Sequence, residues 1–313
     1  MSPALTLALA YRDQVLTPFT LGIIQGCVYG LVGLGLVILY KSNRIFNFAQ
    51  GEFGSVAALI AFYFITGRGI FPDLPTWLAI VLGIAAGTLT ALVTERLVVR
   101  PLFHQPKVVL VVATAGVALL LINLELLYNG PNLSVFPAST QKPWFSLFGT
   151  LTDPHSLKIS YQRVIILGVL IVLAALTALF FRYTPFGTAI LAVSQEPTAA
   201  SVVGVNVNQI SALTWGLAGF LGATAGILLA PISSISPGFM TLGVLIPGFT
   251  AAVVGGITSL PGAFVGGLVI GVVEQFANLI PRTTVPGANR VGVALVLLIV
   301  LLVRPSGLLG KEV

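Results

Sequence analysis

The residues with the most chemical potential are few, and they stand where the surrounding sequence is apolar. Asn47, Gln50 and Glu52 occur together in the run Asn47-Phe48-Ala49-Gln50-Gly51-Glu52-Phe53-Gly54, directly before the apolar stretch Ser55–Thr66. Glu274 stands in a second apolar stretch. An ionised side chain in hydrocarbon costs about 2.5–3.5 kcal/mol on insertion scales, so such groups face water or the protein interior. Two uses fit the first cluster. It lines or gates a pathway, or it satisfies backbone groups freed by a helix break at Gly51 or pairs with Lys41 and Arg44. Glu274 is open to the same choice between a pathway role and internal pairing.

Other chemistries lack their residues. No GxxxxGK[ST] phosphate loop occurs; Gly307-Leu308-Leu309-Gly310-Lys311 lacks both the spacing and the hydroxyl. No GxSxG or H-E-x-x-H is present, and no His, Cys and carboxylate cluster has metal-ligand spacing. His104 and His155 fall in loops, and the single cysteine, Cys27, reads as a small packing residue. The chain is therefore not expected to be an enzyme or to hold a metal or cofactor. Any energy for uphill movement must come from a partner or an ion gradient.

The elements that position these residues follow from composition. Hydrophobic residues make up 57% of the chain and charged residues 8%, against about 25% charged in soluble domains. The apolar residues fall in runs near the ~20 that span a bilayer. The chain reads as an all-α, polytopic integral membrane protein, one transmembrane domain over residues 1–313. The net charge of +6 is spread over loops, which suits lipid headgroups and not nucleic acid. Ala8-Leu9-Ala10 has no basic segment before it, so a cleaved signal peptide is not expected.

About nine crossings are expected. They are Pro18–Tyr40, a second starting near Asn47 and running to Thr66, Pro75–Leu97, Val108–Tyr128, Gln162–Phe181, Ile210–Ala230, Leu242–Ile257, Gly262–Ile280 and Arg290–Val303. Asn123 and Glu125, late in the fourth, are expected to reach the interface. Glycines recur at four-residue spacing, as Gly22, Gly26 and Gly30, as Gly222 and Gly226, and as Gly262 and Gly266. Such ridges let a neighbouring backbone approach closely. Pro247 and Gly248 interrupt the seventh span and mark a broken helix near a pathway. Residues 129–160, with Pro131, Pro137, Pro143 and Pro154, read as an extended, partly strand-like external loop. Loop Lys and Arg divide almost evenly between the two sides, so charge does not orient the chain.

One interval is too polar to cross and too patterned for slack linker: Thr184–Gln209. Ser194 reads as an N-cap, with Gln195 and Glu196 in the first turn and Pro197 where a missing N–H costs nothing. Ala199, Ala200, Val202 and Val203 continue a short helix that Gly204 can close. Such a helix is either an ordinary interfacial segment or a surface for a partner to grip.

Several motifs coincide in order. They are Arg44–Glu52, Glu95-Arg96-Leu97-Val98-Val99-Arg100-Pro101, Gly187–Asn206, Phe249-Thr250-Ala251-Ala252-Val253-Val254-Gly255-Gly256-Ile257, and Pro261-Gly262-Ala263. In this combination the chain resembles the H-type permease subunit of branched-chain amino acid ABC importers. The resemblance implies a dimeric pore with a related M-type subunit or a second copy. It implies two cytoplasmic ATPase subunits that carry ATP and magnesium, an extracytoplasmic substrate-binding protein, and a bacterial plasma (inner) membrane. Thr198–Gly204 is similar to the EAA-xxx-G loop that docks into the ATPase, which makes 184–209 a cytoplasmic coupling loop. Thr198 stands where that pattern has Glu, with Glu196 nearby. Alternating access is the expected mechanism. A secondary transporter using Glu52 and Glu274 as proton sites, a passive channel, a structural membrane subunit, and the same permease type carrying urea or short amides are the alternatives.

Overall fold

The computed structural model describes residues 15–131, 133–136, 143–147, 157–281, 285–304 and 306–310. Ala8–Ala10 and His155 lie outside them. Eleven helices are described: α1 (Thr17–Asn43), α2 (Gln50–Thr66), α3 (Thr76–Thr94), α4 (Lys107–Asn129), α5 (Tyr161–Tyr183), α6 (Pro185–Gln195), α7 (Pro197–Val202), α8 (Val207–Leu229), α9 (Ile246–Gly255), α10 (Leu260–Ala277) and α11 (Ala288–Val303). Wider π turns continue α3 through Glu95–Val99 and lead into α9 through Thr241–Leu245. Two short strands, β1 (Pro143–Leu147) and β2 (Leu157–Ser160), pair antiparallel within the proline-rich interval.

Among the described residues, six helices are long and apolar enough to cross a membrane: α1, α3 with its π turn, α4, α5, α8 with the turn that follows, and α10. Burial sorts them. The most apolar window of α1 is 83% buried and that of α8 72%, against 22%, 22% and 17% for α3, α4 and α5. α1 and α8 are thus the central posts, and the other three present their apolar sides outward, where lipid can cover them.

Glycine lets the posts meet their neighbours. A Cβ on Gly22 would lie 2.5 Å from Val272 Cα, and one on Gly26 would lie 2.5 Å from Gly267 O, so α1 and α10 touch backbone to backbone. Gly30 is looser, with Leu170 Cδ1 nearest at 3.6 Å. Gly222 and Gly226 of α8 meet Gln50 and Gly54 of α2, while Gly262 and Gly266 of α10 meet Gly255 and Ala251 of α9. Without a hydrophobic drive between helices in lipid, such approach supplies dispersion contact.

Contacts show which helix ends lie together. Lys41 Nζ donates to Thr258 O, 3.1 Å, which joins the end of α1 to the α9–α10 turn. Arg100 donates to both oxygens of Glu95 and, from Nη2, to Asn208 O, 3.2 Å, which joins the end of α3 to the start of α8. At the opposite end, Ser134 and Ile235 form a β-bridge and Gln162 Nε2 donates to Leu228 O, 2.7 Å. Glu95 is 1% exposed, so Arg100→Ala leaves a buried carboxylate without its cation. The expected loss is about 1–3 kcal/mol, read as a lower unfolding temperature in detergent.

Candidate functional site

The first break is not where the sequence suggests. Gly51 is helical; the chain leaves helix between α1 and α2, at residues 44–49, and α2 starts at Gln50. Arg44 ends α1 in the left-handed region at φ 53°, its guanidinium over the Tyr40 ring. The break folds back inward. Gln50 packs against Gly35, eight residues before the end of α1, about 12 Å down that helix.

Polar side chains hold this turn. Ala49 N–H donates to Asn47 Oδ1, 3.0 Å, and Asn47 Nδ2 approaches Gln50 Oε1 at 3.4 Å. Gln50 Nε2 then donates to Ala218 O, 2.8 Å, on α8, threaded between Gly35 and Gly222. Asn47, Gln50 and Glu52 are all buried, and neither Lys41 nor Arg44 is hydrogen-bonded to them. Gln50→Leu removes the tie to α8 and leaves Ala218 O with its intrahelical bond alone. It is expected to cost about 0.5–1.5 kcal/mol and to lower the folded yield of purified chain.

A second segment enters from the other end. After α8 the chain turns through 233–240 and descends into Thr241–Leu245 and α9, with Pro247 in the first turn, where its missing N–H is harmless. Gly248 faces Val32 of α1. Pro247 and Gly248 do not break this helix, which runs from Thr241 to Gly255; the interruption lies before it, at 233–240, and the two interrupted segments meet there: a Cβ on Gly51 would lie 2.5 Å from Thr241 Oγ1 and 2.8 Å from its Cα. Beside them lies a cleft of about 550 Å³ lined by Asn47, Phe48, Leu242, Ile246, Phe249 and Arg290 among others. Leu242 and Ile246 are two-thirds exposed there.

Sequence reasoning placed Glu125 at the interface, and the structure turns it inward. Its Oε2 accepts from Gly238 N–H, 2.9 Å, and its carboxyl group faces that of Glu52. The signal was available. Leu110, Thr114, Ala118 and Glu125 are the buried residues of α4 and recur at helical spacing, so Glu125 ends the inward stripe. Asn123 does point outward, donating to Leu119 O.

Glu274 is paired internally. It accepts from Tyr29 Oη and from Asn289 Nδ2, 3.3 Å, which links α1, α10 and α11. It also borders a cavity of about 300 Å³ with Thr250, Asn289 and Arg290.

The polar interval forms two helices with separate caps. Thr184 Oγ1 accepts from Gly187 N–H at the start of α6, 3.1 Å. Glu196, not Ser194, caps α7, accepting from Thr198 N–H at 3.3 Å, while Ser194 sits in the last turn of α6 and donates to Leu191 O. Pro197 explains the shift. It forces Glu196 out of helical geometry, to φ −148° and ψ 97°, so α6 ends at Gln195 and the cap falls one residue before the proline. Ala200 is buried, whereas Gln195, Thr198, Ala199, Val202, Val203 and Gly204 are exposed. Gly204 ends α7 at φ 90° with open space around it.

Long apolar helices, broken segments that meet inside the bundle and a short capped helix pair at one end together define a multi-pass membrane protein. The family model described as "Branched-chain amino acid transport system / permease component" matches residues 19–303, and the chain belongs to that family. It is 29% identical over 294 residues to the high-affinity branched-chain amino acid transport system permease protein LivH of Salmonella typhimurium, covering 93% of this chain and 94% of that one. To the corresponding BraD permease protein of Pseudomonas aeruginosa it is 30% identical over 300 residues, with the same coverage. A probable LivH of Methanocaldococcus jannaschii is 28% identical, over 90% of this chain and 88% of that one.

Proposed function

We propose that this chain is the pathway-forming permease subunit of an ATP-driven importer for branched-chain or similar small amino acids, working by alternating access. Its membership of the permease family, matched over residues 19–303, carries the reading. In this reading the chain is one transmembrane domain in the bacterial inner membrane. The three remaining apolar helices, α2, α9 and α11, join the six long ones to make nine crossings. The cleft beside the two broken segments, with its exposed Leu242 and Ile246, faces a related M-type subunit or a second copy. Two cytoplasmic ATPases, which bind ATP and magnesium, grip α6 and α7 at Glu196, Thr198 and Gly204, and an extracytoplasmic binding protein delivers substrate at the opposite end, beside the β1–β2 pair. Arg100 ties the coupling end of α8 to α3, so a pull on α7 is carried into the bundle.

Co-expression with candidate ATPase and binding-protein subunits, then uptake into vesicles, tests this. Labelled leucine should enter only with ATP inside and binding protein outside. Uptake that survives without ATP but fails when the proton gradient is collapsed selects a secondary transporter. Competition by urea or short amides, with none by leucine, reassigns the substrate.

A further inference from the structure

Where α2, α4 and the segment leading into α9 face one another, four buried side-chain oxygens lie near one another and make no hydrogen bond of good geometry among the described residues. They are both carboxyl oxygens of Glu52, Oε1 of Glu125 and Oγ1 of Thr241. Glu52 is 0% exposed and Glu125 5%. The same segment is held by its backbone, Gly238 N–H to Glu125 Oε2 and Met240 N–H to Ser55 Oγ, 3.3 Å. Buried carboxyl groups in contact need a positive partner, because each repels the other and burial strips away most of their water.

Among the described residues no cationic side chain acts on the pair. α8, the 233–240 turn, Thr241–Leu245 and α9 contain no charged residue. On α3, Glu95 and Arg100 pair with each other, while Arg96 lies beside them at the same end. On α1, Lys41 is bound to Thr258 O, and Lys107 begins α4 at the end away from Glu125, over the Phe103 ring. A set of carboxylate and hydroxyl oxygens without nitrogen or sulfur suits a small hard cation.

We propose that Glu52, Glu125 and Thr241 form a binding site for one small hard cation, a proton or a sodium ion, that fastens the Gly238–Thr241 segment to α2 and α4. The occupant neutralises the carboxyl pair and closes the point where the two broken segments meet. The site follows from the fold and stands apart from the importer reading.

Thermal unfolding of the purified full-length chain in nanodiscs tests it. Sodium chloride is titrated against choline chloride at fixed ionic strength, and in choline the pH is varied. A saturable rise in Tm with sodium, by several degrees, identifies sodium. A rise in Tm as pH falls, with no sodium response, identifies the proton. Either response must vanish in Glu125→Gln. A response that persists in that variant overturns the site, as does a wild type indifferent to both. If Glu125→Gln does not fold, Thr241→Val, which keeps both carboxyls, serves for sodium and should weaken the response about tenfold; an unshifted titration overturns the proposal. For the proton, infrared spectroscopy of the wild type should show a protonated carboxyl band that resists exchange into heavy water, and its absence overturns the proposal.

Discussion

Replacing Gly204 with lysine is expected to abolish substrate-stimulated ATP hydrolysis in the reconstituted assembly while the chain stays folded and inserted. Gly204 closes α7 at φ 90°, its N–H donating to Ser201 O and that of Val205 to Ala200 O. An L-residue there costs about 1–2 kcal/mol of backbone strain. No atom lies within 4 Å of where a Cβ would stand, so bulk is not opposed from within the chain. The added lysine projects instead from the exposed tip beside Val202 and Val203, onto the surface assigned to the ATPase. Gly204→Ala separates the two effects, because it bears the strain without the bulk. Alanine should lower coupled hydrolysis by about tenfold or less, the equivalent of ~1.4 kcal/mol, and lysine should remove it. Equal losses would place the effect in the turn itself. Unchanged coupling in the lysine variant would end the docking role.

The largest effect on stability is expected at Gly226. A Cβ there would fall inside contact distance of Gly54 O and 2.6 Å from Gly54 Cα, both backbone atoms of α2 that no rotamer change can move. Gly226→Val must separate α8, a central post, from α2, and with it the Gln50 tie to Ala218. A loss of about 3 kcal/mol or more is expected, read as aggregation or loss of the folded peak on size exclusion. Gly30→Ala is the control. It lies on the same kind of ridge, but its nearest neighbour stands 3.6 Å away, at ordinary contact. Alanine should be neutral or should stabilise by about 0.5–1 kcal/mol through helix propensity. Equal damage at the two sites would contradict the packing described.

These cases show what could be read in advance. Apolar runs placed the long helices to within a few residues, because lipid demands about 20 apolar positions in a row. Four-residue glycine spacing marked the contact faces, but not which glycines leave no room for a Cβ: Gly26 and Gly30 look alike in sequence, yet a Cβ fits at Gly30 and not at Gly26. The breaks were legible as polar or Pro-Gly interruptions, yet their locations were not. Gly51 seemed the weak point from composition, while the tie between Asn47 and Ala49 fixes the turn before it. Ser194 has the better intrinsic capping preference, and Pro197 overrides it through the backbone of Glu196. The facing of Glu52 and Glu125 depends on pairing between elements far apart in the chain, which no local pattern encodes.

The contact between Gly26 and Gly267 also sets a clock. Some 240 residues separate the two, and at synthesis rates of about 5–20 residues per second the first helix waits roughly ten to fifty seconds for its partner to be made. Through that interval its glycine face has only lipid, translocon or a provisional neighbour against it. The intimacy of α1 with α10 therefore makes the last third of translation, and not insertion of the first helix, the step at which the bundle becomes committed to its shape.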